Sequence, residues 1–433
     1  MSKEVPADPH AAVVATAGGV ADGPILAADG TPLKRKLARA MFRTRARAFG
    51  LAFPLLAYII VVFIVPIVVF LFQAVHDPRF ASMMPRTTEA VADWDTVSPI
   101  TEEMAAALVA DLVDARKART IGQVATRVNR ELPGTRSLFT STARRAAKMK
   151  PPFLEALAKK NKKWLDLETW RAIKIAAKTW TPAYLAAALD LKYNADGSFS
   201  RQDENRRIHI PLFLRTLEIS FLVTVFCLIL GYPVAYLLAS LPLRTSNLLM
   251  IMVLLPFWTS LLVRTTAWIA MLQAEGVMND LFVAFGITTD DQRFSLIYNK
   301  TGVLIAMTHI LLPFTILPLY SVMRTIPPSY MRAARSMGAT GWTAFWRVYF
   351  PQTVPGIGAG ALLVFILAIG YYITPALVGG QEGQMISNII DFHMRKSLNW
   401  NLAAALGFFL LVFVLFLFWV YDRVVGIDNM KLG

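Results

Sequence analysis

The sequence predicts an all-α, polytopic membrane protein. Three observations carry that expectation. The 433 residues are 55% hydrophobic, with a mean hydropathy of +0.48. The apolar residues gather into six runs, near 49–75, 212–240, 246–272, 296–322, 353–378 and 402–422, each long enough to cross a hydrocarbon core about 30 Å thick. The two-residue alternation of a membrane β-barrel is absent. In lipid, backbone N–H and C=O groups must be satisfied within their own segment, so these runs should be helices.

Along the chain, residues 1–33 are rich in Ala, Gly, Asp and Pro and poor in large apolar side chains. With the basic cluster Lys34, Arg35, Lys36, Arg39, Arg43, Arg45 and Arg47 they read as a disordered, basic tail over 1–48. The apolar run 49–75 is far longer than the core of a signal peptide and starts too late for one, so it reads as an uncleaved first span with its basic flank in the cytoplasm. Residues 76–211 form a long, basic segment with helical signals. Thr101-Glu102-Glu103 places acids in a first turn, and Met104, Leu108 and Leu112 recur on one helical face. Trp164, Trp170, Trp180 and Tyr184 read as filling a small helical core or sitting at headgroup level, with a docking surface for a soluble partner as the alternative. The remaining five runs then make a membrane core over 212–425.

Short loops set the orientation. The 323–352 loop carries Arg324, Arg332, Arg335 and Arg347, and the 241–245 turn carries Arg244. The 273–295 loop carries Glu275, Asp280, Asp290 and Asp291 against Arg293. Cations stay inside, so both termini are expected in the cytoplasm and 76–211 outside, since long loops cross regardless of charge.

Composition also narrows the chemistry. The net charge of +15 fits basic flanks of membrane spans, and no nucleic-acid-binding motif accompanies it. Cys227 is the single cysteine, and the five histidines show no ligand spacing, so no disulfide, metal or catalytic site is expected. No Gly-x-x-x-x-Gly-Lys-Ser/Thr sequence occurs, so this chain does not cradle ATP phosphates itself. Gly356, Gly358 and Gly360 read as small residues that let helices approach closely.

The 323–352 segment is the most specific part of the chain. Pro327-Pro328 breaks the chain after the fourth run. A short helix from Ser329 to Met337 follows, Gly338 suits a left-handed stop, and Thr340 caps a second helix running to Pro351. Arg332-Ala333-Ala334, then Gly338, then Val348, Phe350 and Pro351 resemble in register the EAA loop of ATP-binding-cassette importer permeases. Arg332 stands where that family has an acid. Gly231-Tyr232-Pro233-Val234-Ala235-Tyr236, Leu255-Pro256-Phe257-Trp258-Thr259-Ser260 and Thr374-Pro375-Ala376-Leu377-Val378-Gly379-Gly380 resemble the spermidine/putrescine permeases of the PotB/PotH type. The resemblance covers 212–425, and the first span more weakly; residues 76–211 are outside the usual short form.

That resemblance implies a bacterial inner-membrane permease subunit of the type I (MetI-like) importer fold, non-catalytic and bound to no cofactor. It implies two ATPase subunits that bind ATP and Mg, a second related permease subunit, a periplasmic substrate-binding protein, and a small solute as cargo, polyamines foremost. The residues implied for ATPase coupling are Tyr330, Arg332, Ala333, Ala334, Gly338, Ala339 and Pro351. For a substrate path, intramembrane aromatic and acidic residues are the candidates: Trp258, Trp268, Tyr371, Tyr372 and Glu218, with Glu382 and Asp391 in the last outer loop. Each aromatic face attracts an ammonium group by about 0.5–2 kcal/mol. Polyamine permeases carry acids near positions occupied here by Tyr371 and Ala376. An ion-gradient-driven secondary transporter or channel is the competing class, expected to show internal repeats or a buried acid–base relay.

Overall fold

In the computed structural model, which describes residues 33–425, five helices are long and apolar enough to cross a membrane. They are Ala48–Phe72, His209–Ser240, Lys300–Thr325, Gly341–Gly370 and Trp400–Arg423. A sixth crossing results if the pair Leu243–Trp258 and Leu261–Ala284, bent by 92° at its break, counts as one. Nearly all of the segment 1–33 and the end 426–433 lie outside the described residues.

Residues up to Val69 form one unit. Helix begins at Leu33, so the basic stretch 33–48 is helical rather than part of a disordered tail. Its Lys, Arg, Ala and Leu content favours extension of the helix seeded by the apolar run. Within that run Ile60–Ile64 winds as a wide π turn, with the Val65 N–H on the Ile60 carbonyl. Pro66 follows directly. The π turn re-routes the hydrogen bond that proline denies, and the helix continues to Phe72.

In the second unit, Phe70 onward, two apolar runs differ from the expectation. The run 246–272 is not one straight span. Leu255–Trp258 tightens to a 3-10 turn around Pro256, and Thr259 and Ser260 are extended. No π turn precedes Pro256, and the chain breaks there. The run 353–378 is also displaced. Its helix starts at Gly341 and stops at Gly370, Tyr371 is extended, and Ile373–Val378 is a separate helix. Pro375 would clash with the carbonyl of Tyr371 in a continuous helix, which sets the break.

The membrane core is built on His209–Ser240, Lys300–Thr325 and Gly341–Gly370. Ile219, Val223, Cys227, Val303, Met307, Leu311, Val364 and Ala368 pack into one buried cluster. Close approach depends on small residues. A Cβ on Gly356 would lie 3.0 Å from Val322 Cβ, and one on Gly360 would lie 3.2 Å from the Thr315 carbonyl. Arg324 reaches back to the Ala239 and Leu241 carbonyls at 2.9 and 3.2 Å, satisfying groups that the end of the 209–240 helix leaves open.

Residues 76–211 fold into short helices around a core of Phe80, Met84, Leu108, Leu112, Phe139, Leu157, Trp164 and Trp170. Thr101 caps Glu102–Lys117 through the Met104 N–H, and Met104, Leu108 and Leu112 face inward. Trp164 donates to Thr142 at 3.0 Å, and Trp170 donates to the Trp164 carbonyl at 2.8 Å. Trp180 is different: it is 61% exposed and packs on Phe72 and His76, at the end of the first membrane helix. A two-stranded antiparallel hairpin, Leu191–Tyr193 with Phe199–Arg201, precedes the 209–240 helix.

Two buried carboxylates tie this helical unit to the membrane core. Asp77 accepts from Arg79 Nε at 2.7 Å and from the Tyr184 hydroxyl at 2.5 Å, and pairs with Arg127 Nε at 3.1 Å. Arg79 also donates to Asn401, whose Nδ2 donates to the Gln73 carbonyl at 2.7 Å. Burial works to raise the Asp77 carboxyl. The Arg79 and Tyr184 hydrogen bonds and the Arg127 and Arg79 charges outweigh it and hold it at about 2. Asp190 accepts from the His209 and Ile210 N–H groups at 3.1 and 2.8 Å and from His209 Nδ1 at 2.9 Å. It neutralises the positive start of the 209–240 helix.

Asp77→Ala takes from the buried Arg127 guanidinium one of its two carboxylate partners and from Arg79 its ion-pair partner. Such a loss costs about 3–5 kcal/mol, so the unfolding temperature of the purified protein in detergent should fall sharply, with a smaller drop for Asp77→Asn. A second expectation concerns acid. Burial, with His209 and Arg130 nearby, depresses His393 to about 4. The folded state therefore binds fewer protons than the unfolded one between the ordinary histidine value and about 4. This contribution is complete above about pH 6.5 and is lost as pH falls through about 4. The drop in unfolding temperature between pH 7 and pH 5 should be smaller in His393→Gln than in the native chain.

Candidate coupling loop and translocation path

The segment after the 300–325 helix forms a helix–glycine–helix hairpin. Pro328 opens Pro328–Ser336 at its first turn, where the missing N–H costs nothing. Gly338 follows at φ +90°, donating to the Arg335 carbonyl at 3.0 Å. The Ala339 N–H reaches the Ala334 carbonyl at 3.1 Å. Thr340 then caps the next helix through the Thr343 N–H at 3.2 Å.

That second helix does not end at Pro351, as the sequence suggests. Phe345–Tyr349 is a π turn, with the Phe350 N–H on the Phe345 carbonyl, and the helix runs on to Gly370. The device is the one used ahead of Pro66. The hairpin's second arm and a membrane helix are thus a single rod of 30 residues.

Of the residues expected to couple to a partner, Tyr330, Arg332, Ala333, Gly338 and Pro351 are exposed and Ala339 is half-buried. Ala334 is buried inside the hairpin and presents nothing outward. Met337 and Trp342 are the most exposed apolar side chains here, at 82% and 73%; Met337 immediately precedes the Gly338 stop and Trp342 follows the Thr340 cap. The sequence reading passed over both, although a large apolar residue beside a capped turn of a cationic loop is a readable signal. Trp342 stacks edge-on against Trp346. With Tyr232, Pro233, Tyr236 and Phe345 it borders an apolar notch. Arg332, Arg335 and Arg347 are exposed around them, so the hairpin offers apolar side chains within a positive rim.

The path candidates separate into groups. Trp268 and Tyr371 both pack on the central cluster. Trp268 Nε1 donates to His309 Nδ1 at 3.1 Å. Arg264, on the same helix as Trp268, lies close enough to interact electrostatically with both His309 and Tyr371. Its Nε is buried with no hydrogen-bond partner. Thr265 and Thr374 meet across helices at 3.3 Å, both buried. Arg264, His309 and this threonine pair are polar groups that the search for acids and aromatics missed. An arginine inside an apolar run was the available signal.

Trp258 stands apart, 89% exposed at the 92° bend. Tyr372 belongs to another cluster: its hydroxyl accepts from Arg395 at 2.9 Å, and the guanidinium also lies over its ring. Asp391 pairs with that same arginine at 2.6 Å. Glu218 is paired with Lys300. Glu382 is exposed, with no ion pair among the described residues. Two of the three acids are therefore already neutralised within the chain. No group of three or more His, Cys, Asp or Glu that could hold a metal ion occurs among the described residues.

Comparison with known proteins follows the same segments. The family described as binding-protein-dependent transport system inner membrane component matches residues 229–425. The spermidine/putrescine transport system permease protein PotB of Haemophilus influenzae is 34% identical over 224 residues, covering 52% of this chain and 78% of that protein. PotB of Escherichia coli is 32% identical, covering 54% and 88%. Among solved structures, a bacterial alginate ABC transporter aligns with a TM-score of 0.44 at 18% identity, over 52% of this chain and 81% of that one. With about a third of the aligned residues identical across most of the length of PotB, the chain belongs to the inner-membrane permease family of binding-protein-dependent ABC transporters.

Proposed function

We propose that this chain forms half of the translocation path of a type I importer, with a polyamine such as spermidine or putrescine as cargo. As a member of its family it is a non-catalytic subunit of the inner membrane, and ATP is hydrolysed in partner proteins. On this reading the bent pair counts as one of six crossings. Both termini lie in the cytoplasm and residues 76–211 in the periplasm. Two ATPase subunits holding ATP and Mg, a second permease chain and a periplasmic binding protein complete the assembly.

One observation carries the mechanism: the exposed hairpin is continuous with a membrane helix through Gly370. ATPase closure pushes the 328–350 hairpin. The push travels along an unbroken rod to the chain break at Tyr371 and Tyr372, beside Trp268 and Arg264. Motion concentrates there, because the helix does not continue. The path then opens outward and cargo from the binding protein enters.

The polyamine assignment is supported by the names of the relatives and by the aromatic side chains at the break. A second reading, an anionic cargo, is favoured by Arg264, which has no carboxylate partner among the described residues. A relative from Mycobacterium bovis, 28% identical and covering 44% of this chain, is named a molybdenum transport permease.

Placing valine at Gly338, where φ is +90°, strains the hairpin by about 1–2 kcal/mol. ATPase recovered with the chain in a detergent pull-down should then fall roughly ten-fold, and Gly338→Asn should largely retain it. Undiminished recovery with valine would count against coupling through this hairpin. Spermidine uptake into cells should collapse on ATP depletion and survive an ionophore; the reverse pattern favours a gradient-driven transporter. Arg264→Gln separates the two cargoes, because it should preserve or raise polyamine uptake and abolish oxyanion uptake.

A further inference from the structure

A cleft of about 520 Å³ lies where the helical unit meets the start of the last membrane helix. Arg79, Arg127, Arg130, Arg136 and Lys396 line it, and no Asp or Glu does. Its apolar contributors are Met83, Leu398 and Trp400. Nothing in the transport reading uses this site.

The cations are under-compensated. Arg127 is 2% exposed; its Nη1 binds Glu131 at 2.5 Å and its Nε faces Asp77, but its Nη2 has no hydrogen-bond partner. Arg130 donates to the Leu398 carbonyl at 3.1 Å. Arg130, Arg136 and Lys396 have no carboxylate within ion-pair distance among the described residues. Three cations without carboxylate partners around one cleft are an unfavourable gathering unless an anion completes it. Guanidinium groups in particular suit the paired oxygens of a phosphate.

Position selects the source of that anion. Trp400 is the first residue of the last membrane helix, and tryptophan at a span end marks headgroup level. Arg79 follows the end of the first membrane helix at Phe72 by seven positions. Leu398 and Trp400 are 58% and 41% exposed, so cations and an exposed apolar edge occur in one cleft at the depth of lipid headgroups. We infer that this cleft holds the phosphodiester headgroup of an anionic phospholipid from the leaflet on the side of the helical unit, its acyl chains leaving past Trp400. The bound lipid fastens the helical unit to the membrane beside the Asp77 junction.

The test uses the full chain purified in detergent and stripped of lipid. Adding phosphatidylglycerol should raise its unfolding temperature by several degrees, less so at high salt, whereas phosphatidylcholine should not. In the double variant Arg136→Gln with Lys396→Gln, two side chains outside the Asp77 network, the phosphatidylglycerol concentration giving half of the shift should rise at least five-fold. Native mass spectrometry should show phosphatidylglycerol retained on the native chain and lost from the variant. Equal phosphatidylglycerol affinity in the variant would overturn the site. An equal shift with inorganic phosphate or glycerol phosphate would overturn the lipid as the occupant.

Discussion

Hydrocarbon offers a backbone no hydrogen bonds, so a membrane helix must satisfy its own N–H and C=O groups, and each proline defeats one of them. Four prolines mark where the membrane segments continue or break, while Pro233, Pro313, Pro318 and Pro355 sit inside unbroken helices. Ahead of Pro66 and Pro351 the helix widens to a π turn and continues. Around Pro256 it tightens, breaks and bends by 92°. Ahead of Pro375 it stops, leaving Tyr371 and Tyr372 outside any helix. Stiffness therefore runs from the exposed hairpin to Gly370, and compliance lies at 259–260 and 371–372. The Trp268–His309–Arg264 group lies beside the second compliant point. Force applied at one end of a rigid rod is delivered where rigidity ends.

The helical unit over 76–211 is joined to this machinery by buried charge. Its own core is aromatic and aliphatic and is drawn from residues 80–177 alone. What fixes it in place is Asp77, shared by Arg79, Arg127 and Tyr184, with Arg79 passing on to Asn401. A second buried cluster, including Ala74, Tyr184, Leu212, Ile386 and Leu402, lies under the same junction. Buried ion pairs contribute little net stability but are costly to misplace. They set orientation, while apolar burial supplies the adhesion.

Legibility in the sequence followed period and length. Apolar runs announced the membrane helices because about twenty consecutive apolar residues have few other uses. The Gly338 stop and the Thr340 cap were legible because each answers a local backbone need. The fate of each proline was not. Pro351 and Pro256 both follow apolar residues, yet the helix continues through one and breaks at the other. The pairing of Glu218 with Lys300 spans 82 positions and that of Arg79 with Asn401 spans 322; such contacts depend on the tertiary fold and leave no local trace. Arg264 was legible as a charge inside an apolar run.

Charge balance bears on how a polycation could cross. Glu218 and Asp391 are already matched by Lys300 and Arg395, and Arg264 adds a positive charge beside Tyr371. Aromatic faces alone offset an ammonium group by about 0.5–2 kcal/mol, while the effective cost of desolvating an ion is several kcal/mol. A dication therefore cannot be held by this half-path alone. In the proposed assembly, either a second permease chain supplies the carboxylates, or the Lys300 and Arg395 pairs open to release theirs as the rod moves. In the first case selectivity belongs to the pair of chains. In the second it belongs to a step of the cycle, since the acids would be free only while the path is displaced.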